Sequence, residues 1–280
     1  MLDPNGNIAI IAGDGVLPHL LVKECIRQNI SYTVVVFEGV TLDWLSGHPC
    51  ISAIFEKPGK LFEALHKAGT TQITMAGGMA RPQLNPLKFD AAGLRLAPVL
   101  ANALKKGDGD TLSVVSLMFE TEGFTVIGAH HLLESLLAPV GVMTNVAPST
   151  EDMADISRAA QIVAALGGVD VGQGAIVAQG ICLGLESIQG TDAMLRFVAD
   201  NPRRLPEKDG AKGVLLKAPK PGQDWRLDLP AIGPDTFALA HKAGLAGVAV
   251  LAGGTLILGL EETVAKANDL GLFLLGTNDT

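Results

Sequence analysis

The first half of the chain alternates short apolar runs with amphipathic stretches. The apolar runs end in glycine or polar turns and predict buried strands, whereas leucines at helical spacing predict helices between them. The predicted strands are Asn7–Ala12, Tyr32–Phe37, Ile51–Phe55, Gln72–Ala76 and Phe124–Gly128, with helices after Gly15 and at Lys60–Ala68, Gly93–Leu104 and Asp110–Glu120. This β-α-β-β-α-β alternation predicts a mostly parallel sheet with helices on both faces.

The second half has the same two kinds of pattern in a different order. Two predicted strands follow one another directly, and an apolar run ends the chain. The predicted strands are Ala175–Gln179, Ile181–Leu185, Val214–Leu216, Ala246–Leu251 and Leu256–Leu258, with helices after Asp192 and at Pro234–Ala243 and Glu261–Leu270. The N-cap of the helix near residue 192 is predicted to be Thr191 or Asp192.

A segment without periodicity separates the two halves. Residues 137–150 contain two prolines and few charges, which predicts a linker between a domain at 1–136 and a second at 151–280. Ser149 and Asp152 have the spacing of a capping box, so a helix is predicted from about Glu151 to Leu166. The fold class is therefore α/β, with a Rossmann-like first domain and a mixed α/β second domain.

Composition narrows the function classes. The 280 residues carry a net charge of −8, and neither half is basic, which argues against nucleic-acid binding through phosphate contacts. Three cysteines, Cys25, Cys50 and Cys182, lie far apart without a CxxC pair, which indicates a reducing compartment and no zinc signature. No signal peptide or membrane span is recognisable, so a cytosolic protein is expected, with peripheral contact to a bilayer left open.

Glycine turns follow two of the predicted strands. Gly13-Asp14-Gly15 follows the first strand, and Glu38 lies where a ribose-binding acid would be expected. Pro18 breaks the GxGxxG pattern, however, which favours a simple turn or a nucleotide-phosphate contact over a nicotinamide site. Gly78 and Arg81 follow the strand Gln72–Ala76. Two interpretations of this position stay open, an anion-binding site at Arg81 and a simple surface turn.

Two charged or polar clusters remain. His130-His131 has no third ligand nearby, so a structural role is favoured over a metal site. The segment Lys212–Gly233 combines a strand, three prolines and alternating charges, including Lys217, Lys220, Arg226 and Asp228. Rigid backbone that holds cations beside carboxylates is typical of a phosphate and metal site, and the alternative is a solvated surface loop.

Several motifs in a fixed order resemble one enzyme family. They are IAGDG with LP after it, DVGQGAIVAQG, GTDAML, LLKAPKPGQDWRLDLPAIG, GLAGVAVLAGGTLIL and DLGLFLLG. In these motifs the chain resembles, along nearly its whole length, the UDP-2,3-diacylglucosamine pyrophosphatases of the LpxI type, which belong to lipid A biosynthesis in Gram-negative bacteria.

The resemblance implies two domains with the lipid substrate bound between them. It implies Mg²⁺-dependent hydrolysis of UDP-2,3-diacylglucosamine to UMP and 2,3-diacylglucosamine 1-phosphate (lipid X), by water attack on the glucosamine-side phosphorus, with Mn²⁺ as a substitute ion. Asp228 is the residue that the family motif marks as essential. A homo-oligomer and transient contact with the inner membrane stay open.

The chemistry of a pyrophosphate diester assigns roles to residue types in these motifs. Its two negative charges call for a divalent cation and cationic side chains. Asp228 and Asp192 are candidate metal ligands, and one of them is a candidate base. Lys217 is a candidate catalytic cation. The candidate substrate-binding residues are Gly13, Gly15, Gly78, Arg81, Gln173, Thr191, Lys220 and Arg226.

The chain departs from the family pattern at Gln189, where Glu is usual, and at Trp225 and Asp14. The change at Gln189 removes one potential carboxylate ligand. Two other functions compete with the hydrolase: a nicotinamide-dependent oxidoreductase, and a non-catalytic protein that binds a glycolipid or nucleotide. Neither requires the acid–base set of Asp192, Lys217 and Asp228.

Overall fold

The structure is a computed structural model that describes residue 3 and residues 6–80, 82–103, 108–201 and 205–278. The chain divides into two compact units. The first comprises Met1–Glu134 and Asp224–Asp228, and the second comprises Ser135–Gln223 and Leu229–Thr280.

The first unit contains a parallel sheet of five strands among the described residues, in the order β3-β2-β1-β4-β5. The elements are β1 Asn7–Ala12, α1 Leu17–Gln28, β2 Tyr32–Phe37, β3 Cys50–Ala53, α2 Pro58–Lys67, β4 Thr70–Ala76, a 3-10 turn Pro86–Lys88, α3 Ala91–Ala103, α4 Asp108–Thr121, β5 Thr125–Val126 and α5 Ala129–Leu132. The strand order reverses between β1 and β4, which is the point where ligands bind in open α/β sheets.

The second unit contains a mixed sheet of six strands in its described residues, in the order β6-β13-β11-β9-β7-β8. Its elements are a 3-10 turn Glu134–Leu136, β6 Gly141–Val142, α6 Thr150–Gly167, β7 Gly174–Ala178, β8 Ile181–Leu185, α7 Gly190–Asp200, β9 Val214–Lys217, β10 Ala231–Ile232, α8 Pro234–Lys242, β11 Gly247–Leu251, β12 Leu256–Ile257, α9 Leu260–Asp269 and β13 Phe273–Thr277. Strands β9, β11 and β13 are parallel, β7 and β6 run antiparallel to their neighbours, and β10 pairs with β12 separately.

Alternating side chains of the second sheet supply two cores. Ile176 of β7 packs in a cluster with Leu195 and Phe237 of the helices on one face, whereas its neighbours Ala175 and Val177 pack with α6 on the other. This is the period of two that a strand imposes on its side chains. Both faces of the sheet are therefore covered, which accounts for the continuous apolar runs of its strands.

Most predicted elements are present with boundaries shifted by one to three residues. β1, β2 and β8 have the predicted bounds, and the Ser149–Asp152 capping box is confirmed by hydrogen bonds of 2.9 and 3.1 Å that start α6. The predicted N-cap of α7 is wrong. Gln189 occupies that position, so Thr191 and Asp192 lie in the first helical turn.

Two segments are organised differently from the prediction. Residues 137–150, predicted as a linker, carry β6, which pairs antiparallel with β13 in the second unit. Asp224–Asp228 was predicted in the second domain but belongs to the first unit. The physical reason is local: Leu227 packs in the core of the first unit, and Arg226 pairs with Glu120 of α4.

Candidate functional site

The glycine turns of the first unit meet where the strand order reverses. The Asp14 amide donates to the carbonyl oxygen of Gly78 at 2.7 Å, and the Gly78 amide donates to the carbonyl oxygen of Asp14 at 3.1 Å. A Cβ on Gly13 would overlap the backbone of Gly78, so the two turns require glycine to approach this closely. Gly15 has a φ of +94°, which also favours glycine. The structure thus brings the predicted Gly13, Gly15 and Gly78 to one sheet edge; Arg81 lies outside the described residues.

A buried polar cluster lies at the carboxyl end of β9 in the second unit. Lys217 is the last residue of this strand, and its side chain is only 5% exposed. Its Nζ donates to Thr191 Oγ1 at 2.6 Å, to Glu186 Oε1 at 3.4 Å and to the Ala231 carbonyl oxygen at 3.4 Å. Thr191 in turn donates to Glu186 Oε1 at 2.9 Å. All three donors of the lysine ammonium therefore have protein acceptors.

Sequence reasoning missed Glu186, the carboxylate of this cluster. It follows β8 directly, as Lys217 ends β9, and an acid after an apolar strand was the available signal. Its side chain is 8% exposed, and its Oε2 is buried without a hydrogen-bond partner among the described residues. A buried carboxylate oxygen in this state is costly unless a cation or proton donor reaches it.

Glu186 also explains the glycines of the DVGQG motif. A Cβ on Gly172 would overlap the Glu186 carbonyl oxygen, and a Cβ on Gly174 would overlap Glu186 Oε2. The Glu186 amide donates to the Gly174 carbonyl oxygen at 2.9 Å. Between these glycines, Gln173 has a buried Oε1 that lacks a hydrogen-bond partner within the described part of the chain.

The cations predicted to bind phosphate are each paired with a carboxylate. Lys220 Nζ contacts Asp170 Oδ1. Arg226 donates to Asp224 at 2.7 Å and to Glu120 at 2.8 Å. These contacts raise the pKa of Arg226, and the Arg226 guanidinium holds the pKa of Asp224 below its usual value. Lys217 is buried beside its carboxylate and Lys220 is 16% exposed, whereas Arg226 is 41% exposed.

The two predicted metal ligands lie in different units. Asp192 is half exposed in the first turn of α7 and pairs with Arg196 at 3.3 Å, whereas Asp228 belongs to the first unit. No cluster of three or more His, Cys, Asp or Glu side chains suited to a metal occurs in the part of the chain that the structure describes. By residue type alone each is a carboxylate, the ligand that Mg²⁺ takes from proteins, where substrate phosphates usually complete the coordination.

Two remaining sequence predictions concern His130-His131 and Gln189. The Gly128 amide donates to His131 Nδ1 at 3.1 Å, which caps α5 and confirms a structural role for that ring. Burial and the adjacent His131 lower the pKa of His130. Gln189 accepts a hydrogen bond from Ser187 through its Oε1.

Comparison with known proteins explains why the motifs occur in this order and why the chain has two units. The family model of the LpxI N-terminal domain matches residues 7–136, and that of the LpxI C-terminal domain matches residues 139–275. The chain belongs to the LpxI family. It is 40% identical over 272 residues to the UDP-2,3-diacylglucosamine pyrophosphatase LpxI of Caulobacter vibrioides, with 97% of each chain covered. The fold class inferred from the sequence is thereby confirmed for this LpxI-family protein.

Proposed function

We propose that this LpxI-family chain hydrolyses the pyrophosphate bond of UDP-2,3-diacylglucosamine, giving UMP and 2,3-diacylglucosamine 1-phosphate. The observation that carries the proposal is its 40% identity, along 97% of both chains, to a pyrophosphatase with that substrate in its name. The substrate is then a glycolipid nucleotide, and the protein is a hydrolase acting on a phosphoric anhydride. The cytosolic location and the oligomeric state stay predictions.

In the proposed reaction, water forms a bond to the phosphorus nearer the glucosamine. The bond between that phosphorus and the bridging oxygen breaks, UMP leaves with the bridging oxygen, and the proton of water passes to a base. Asp228 is our candidate for that base or for a metal ligand, because the family motif marks it. A positioned base contributes about 10²–10⁴-fold in rate.

Lys217 and Glu186 have a positioning role in this proposal. The ammonium of Lys217 has three protein acceptors, so it supports the start of α7 through Thr191 instead of reaching freely for a phosphoryl oxygen. The turn that carries Thr191 also carries Asp192, whose carboxylate is half exposed and pairs with the exposed Arg196. We assign a substrate hydrogen bond to Gln173, and the glycine turns at Gly13, Gly15 and Gly78 are proposed to receive a phosphate or the nucleotide. Thr191, predicted to bind substrate, has its hydroxyl engaged by Glu186 and Lys217 and is assigned a positioning role instead.

A magnesium ion is the proposed cofactor, with Mn²⁺ as a substitute. Asp192 and Asp228 are the residues proposed to hold it, together with substrate phosphate oxygens. The ion would neutralise charge on the pyrophosphate as a Lewis acid. EDTA should abolish UMP release, and added Mg²⁺ should restore it; full activity in excess chelator would remove the metal from the proposal.

The proposed function is tested by incubating the purified chain with UDP-2,3-diacylglucosamine and measuring UMP. Asp228→Ala is expected to lose about 10²–10⁴-fold in kcat, and Asp224→Ala serves as the matched control from the same segment. Absence of UMP from the wild-type protein contradicts the function. Near-normal turnover by Asp228→Ala, with an unchanged melting temperature, contradicts the role of Asp228.

The direction of attack requires isotope labelling because both directions give the same products. Hydrolysis in ¹⁸O-water should place the label in 2,3-diacylglucosamine 1-phosphate. Label in UMP would mean attack at the uridine-side phosphorus, and the proposed direction would be withdrawn while the hydrolase function stood.

A further inference from the structure

The segment from residue 82 to residue 103 exposes apolar side chains that the rest of the first unit leaves uncovered. Leu87 is 95% exposed, Leu94 is 60% exposed and Val99 is 52% exposed. Single exposed apolar residues are ordinary, whereas a group of them is typical of an interaction surface. We refer to Leu87, Leu94 and Val99, with the neighbouring Lys88 and Arg95, as the apolar–basic surface.

The backbone that presents Leu87 is held in place by hydrogen bonds. The Asn85 amide donates to the buried Glu56 Oε1 at 3.0 Å, and the Leu87 amide donates to Asn85 Oδ1 at 3.0 Å. The Asp90 amide donates to the Glu56 carbonyl oxygen at 3.1 Å. The contact with Asn85 lowers the pKa of Glu56, so this anchor is charged at neutral pH. Leu87 is therefore exposed on an anchored turn.

The solvent-exposed side of helix α3 carries apolar residues where charged residues are usual. Gly93 is buried where a Cβ would meet the Glu56 carbonyl oxygen at 2.7 Å, and Leu96 packs against the core of the first unit. The opposite face of a surface helix is normally charged. In α3 the exposed side carries Leu94 and Val99 on either side of Arg95, its charged residue within the described helix.

The charge of this part of the sequence is opposite to that of the whole chain. Between Met79 and Lys106 there is one acidic residue, Asp90, while the chain as a whole has a net charge of −8. The basic residues in that stretch are Arg81, Lys88, Arg95, Lys105 and Lys106. Asp90 accepts from the Lys60 and Gly93 amides, and Glu122 lies 4.0 Å from Arg95 in an exposed contact of little strength.

Apolar side chains flanked by cations fit an anionic bilayer surface. Leucine and valine enter the boundary between headgroups and acyl chains, while lysine and arginine contact the lipid phosphates. None of the helices in the described part of the chain has the length and apolar composition to cross a bilayer. We propose that the apolar–basic surface docks this protein reversibly on an anionic membrane, which, if the proposed function holds, is where its diacylated substrate resides.

The test is co-sedimentation of the full chain with phosphatidylglycerol–phosphatidylethanolamine vesicles, without substrate. Binding is expected to these vesicles, and to be weaker with pure phosphatidylcholine and at high salt. The double variant Leu87→Ser/Leu94→Ser should bind at least about tenfold more weakly, and Lys88→Gln about fivefold more weakly. Val140→Ser, at a residue 66% exposed in the second unit, is the matched control and should bind like the wild type.

Four results would overturn the proposal. The first two are equal binding by the wild type and the double variant, and no binding by the wild type. The third is a change from dimer to monomer in the double variant, which would make the surface an interface between copies. The fourth is a raised KM of the double variant for substrate dispersed in detergent, which would assign the surface to the acyl chains instead. Vesicle binding without UMP release would leave the docking surface standing and contradict the hydrolase, so the two failures are distinguishable.

Discussion

Two halves of one motif, LLKAPKPGQDWRLDLPAIG, have opposite surroundings. Its first half contains Lys217, the last residue of β9, which is buried in the second unit against Glu186 and Thr191. Its second half carries Arg226, which is partly exposed in the first unit between Asp224 and Glu120. Both are cations paired with carboxylates, and in the sequence they look alike.

Burial is the physical difference between the two pairs. A partly exposed pair is screened by water and typically contributes about 0–1 kcal/mol to stability. A buried pair has given up its hydration, so each charge depends on the other for compensation. The comparison teaches that single substitutions at the buried pair of the first half should cost more stability than those at the partly exposed pair of the second half. Four predictions test it, in order of expected size.

The largest effect is expected from breaking the buried pair. Lys217→Met should lower the free energy of unfolding by about 3–5 kcal/mol, because it leaves the Glu186 carboxylate buried and uncompensated. The double variant Lys217→Met/Glu186→Gln should recover much of that loss. Urea unfolding measures both, and a single variant within about 1 kcal/mol of the wild type would make this pair equivalent to an exposed one.

The next effect comes from the glycine that packs on Glu186. Gly172→Ala should cost about 1–3 kcal/mol, because its Cβ overlaps the Glu186 carbonyl oxygen and the chain must shift. The control is Gly168→Ala, where the new Cβ meets backbone oxygens at an ordinary 3.5 Å and φ is −62°. Thermal unfolding of the two variants should separate them, and equal melting temperatures would contradict the packing argument.

A smaller effect is expected for the exposed pair. Arg226→Ala should change the free energy of unfolding by less than about 1 kcal/mol, because the guanidinium is partly exposed. The coupling free energy between Arg226 and Glu120, measured by a double-mutant cycle, should be smaller at high salt. A loss as large as that of Lys217→Met would mean that both halves of the motif are equally structural.

The smallest effect is the pH dependence of the Asp224–Arg226 contact. Arg226 holds the pKa of Asp224 below its ordinary value of 3.8, so the contribution of Asp224 to stability is fully present above that value. It is lost as pH falls through the lowered pKa. The difference in unfolding free energy between wild type and Asp224→Asn, a few tenths of a kcal/mol at about pH 6, should shrink towards pH 3. A difference that grows on acidification would reverse the assigned sign.

Sequence periodicity predicted most elements because the apolar spacing that is typical of a helix or strand also matches the side chains that the fold buries. β1, β2 and β8 have the predicted bounds for this reason. It failed at short elements such as β6 and β10, whose two residues are too few to show a period. It also failed at α7, where Thr191 has the side chain of a good N-cap but is used by Lys217 and Glu186 instead.

For the candidate site, too, the sequence determined some features and the tertiary structure decided others. By itself the sequence determined the α/β class, the family, and the residue types that a pyrophosphate requires, because these depend on composition, motif order and the chemistry of single side chains. Only the tertiary structure decided that Glu186 compensates Lys217, that Gly172 and Gly174 exist to admit Glu186, and that Asp224–Asp228 belong to the first unit. The physical reason is that burial and pairing arise between residues distant in the chain, and hydration, which sets the energy of a charge, is known only once the fold has excluded water.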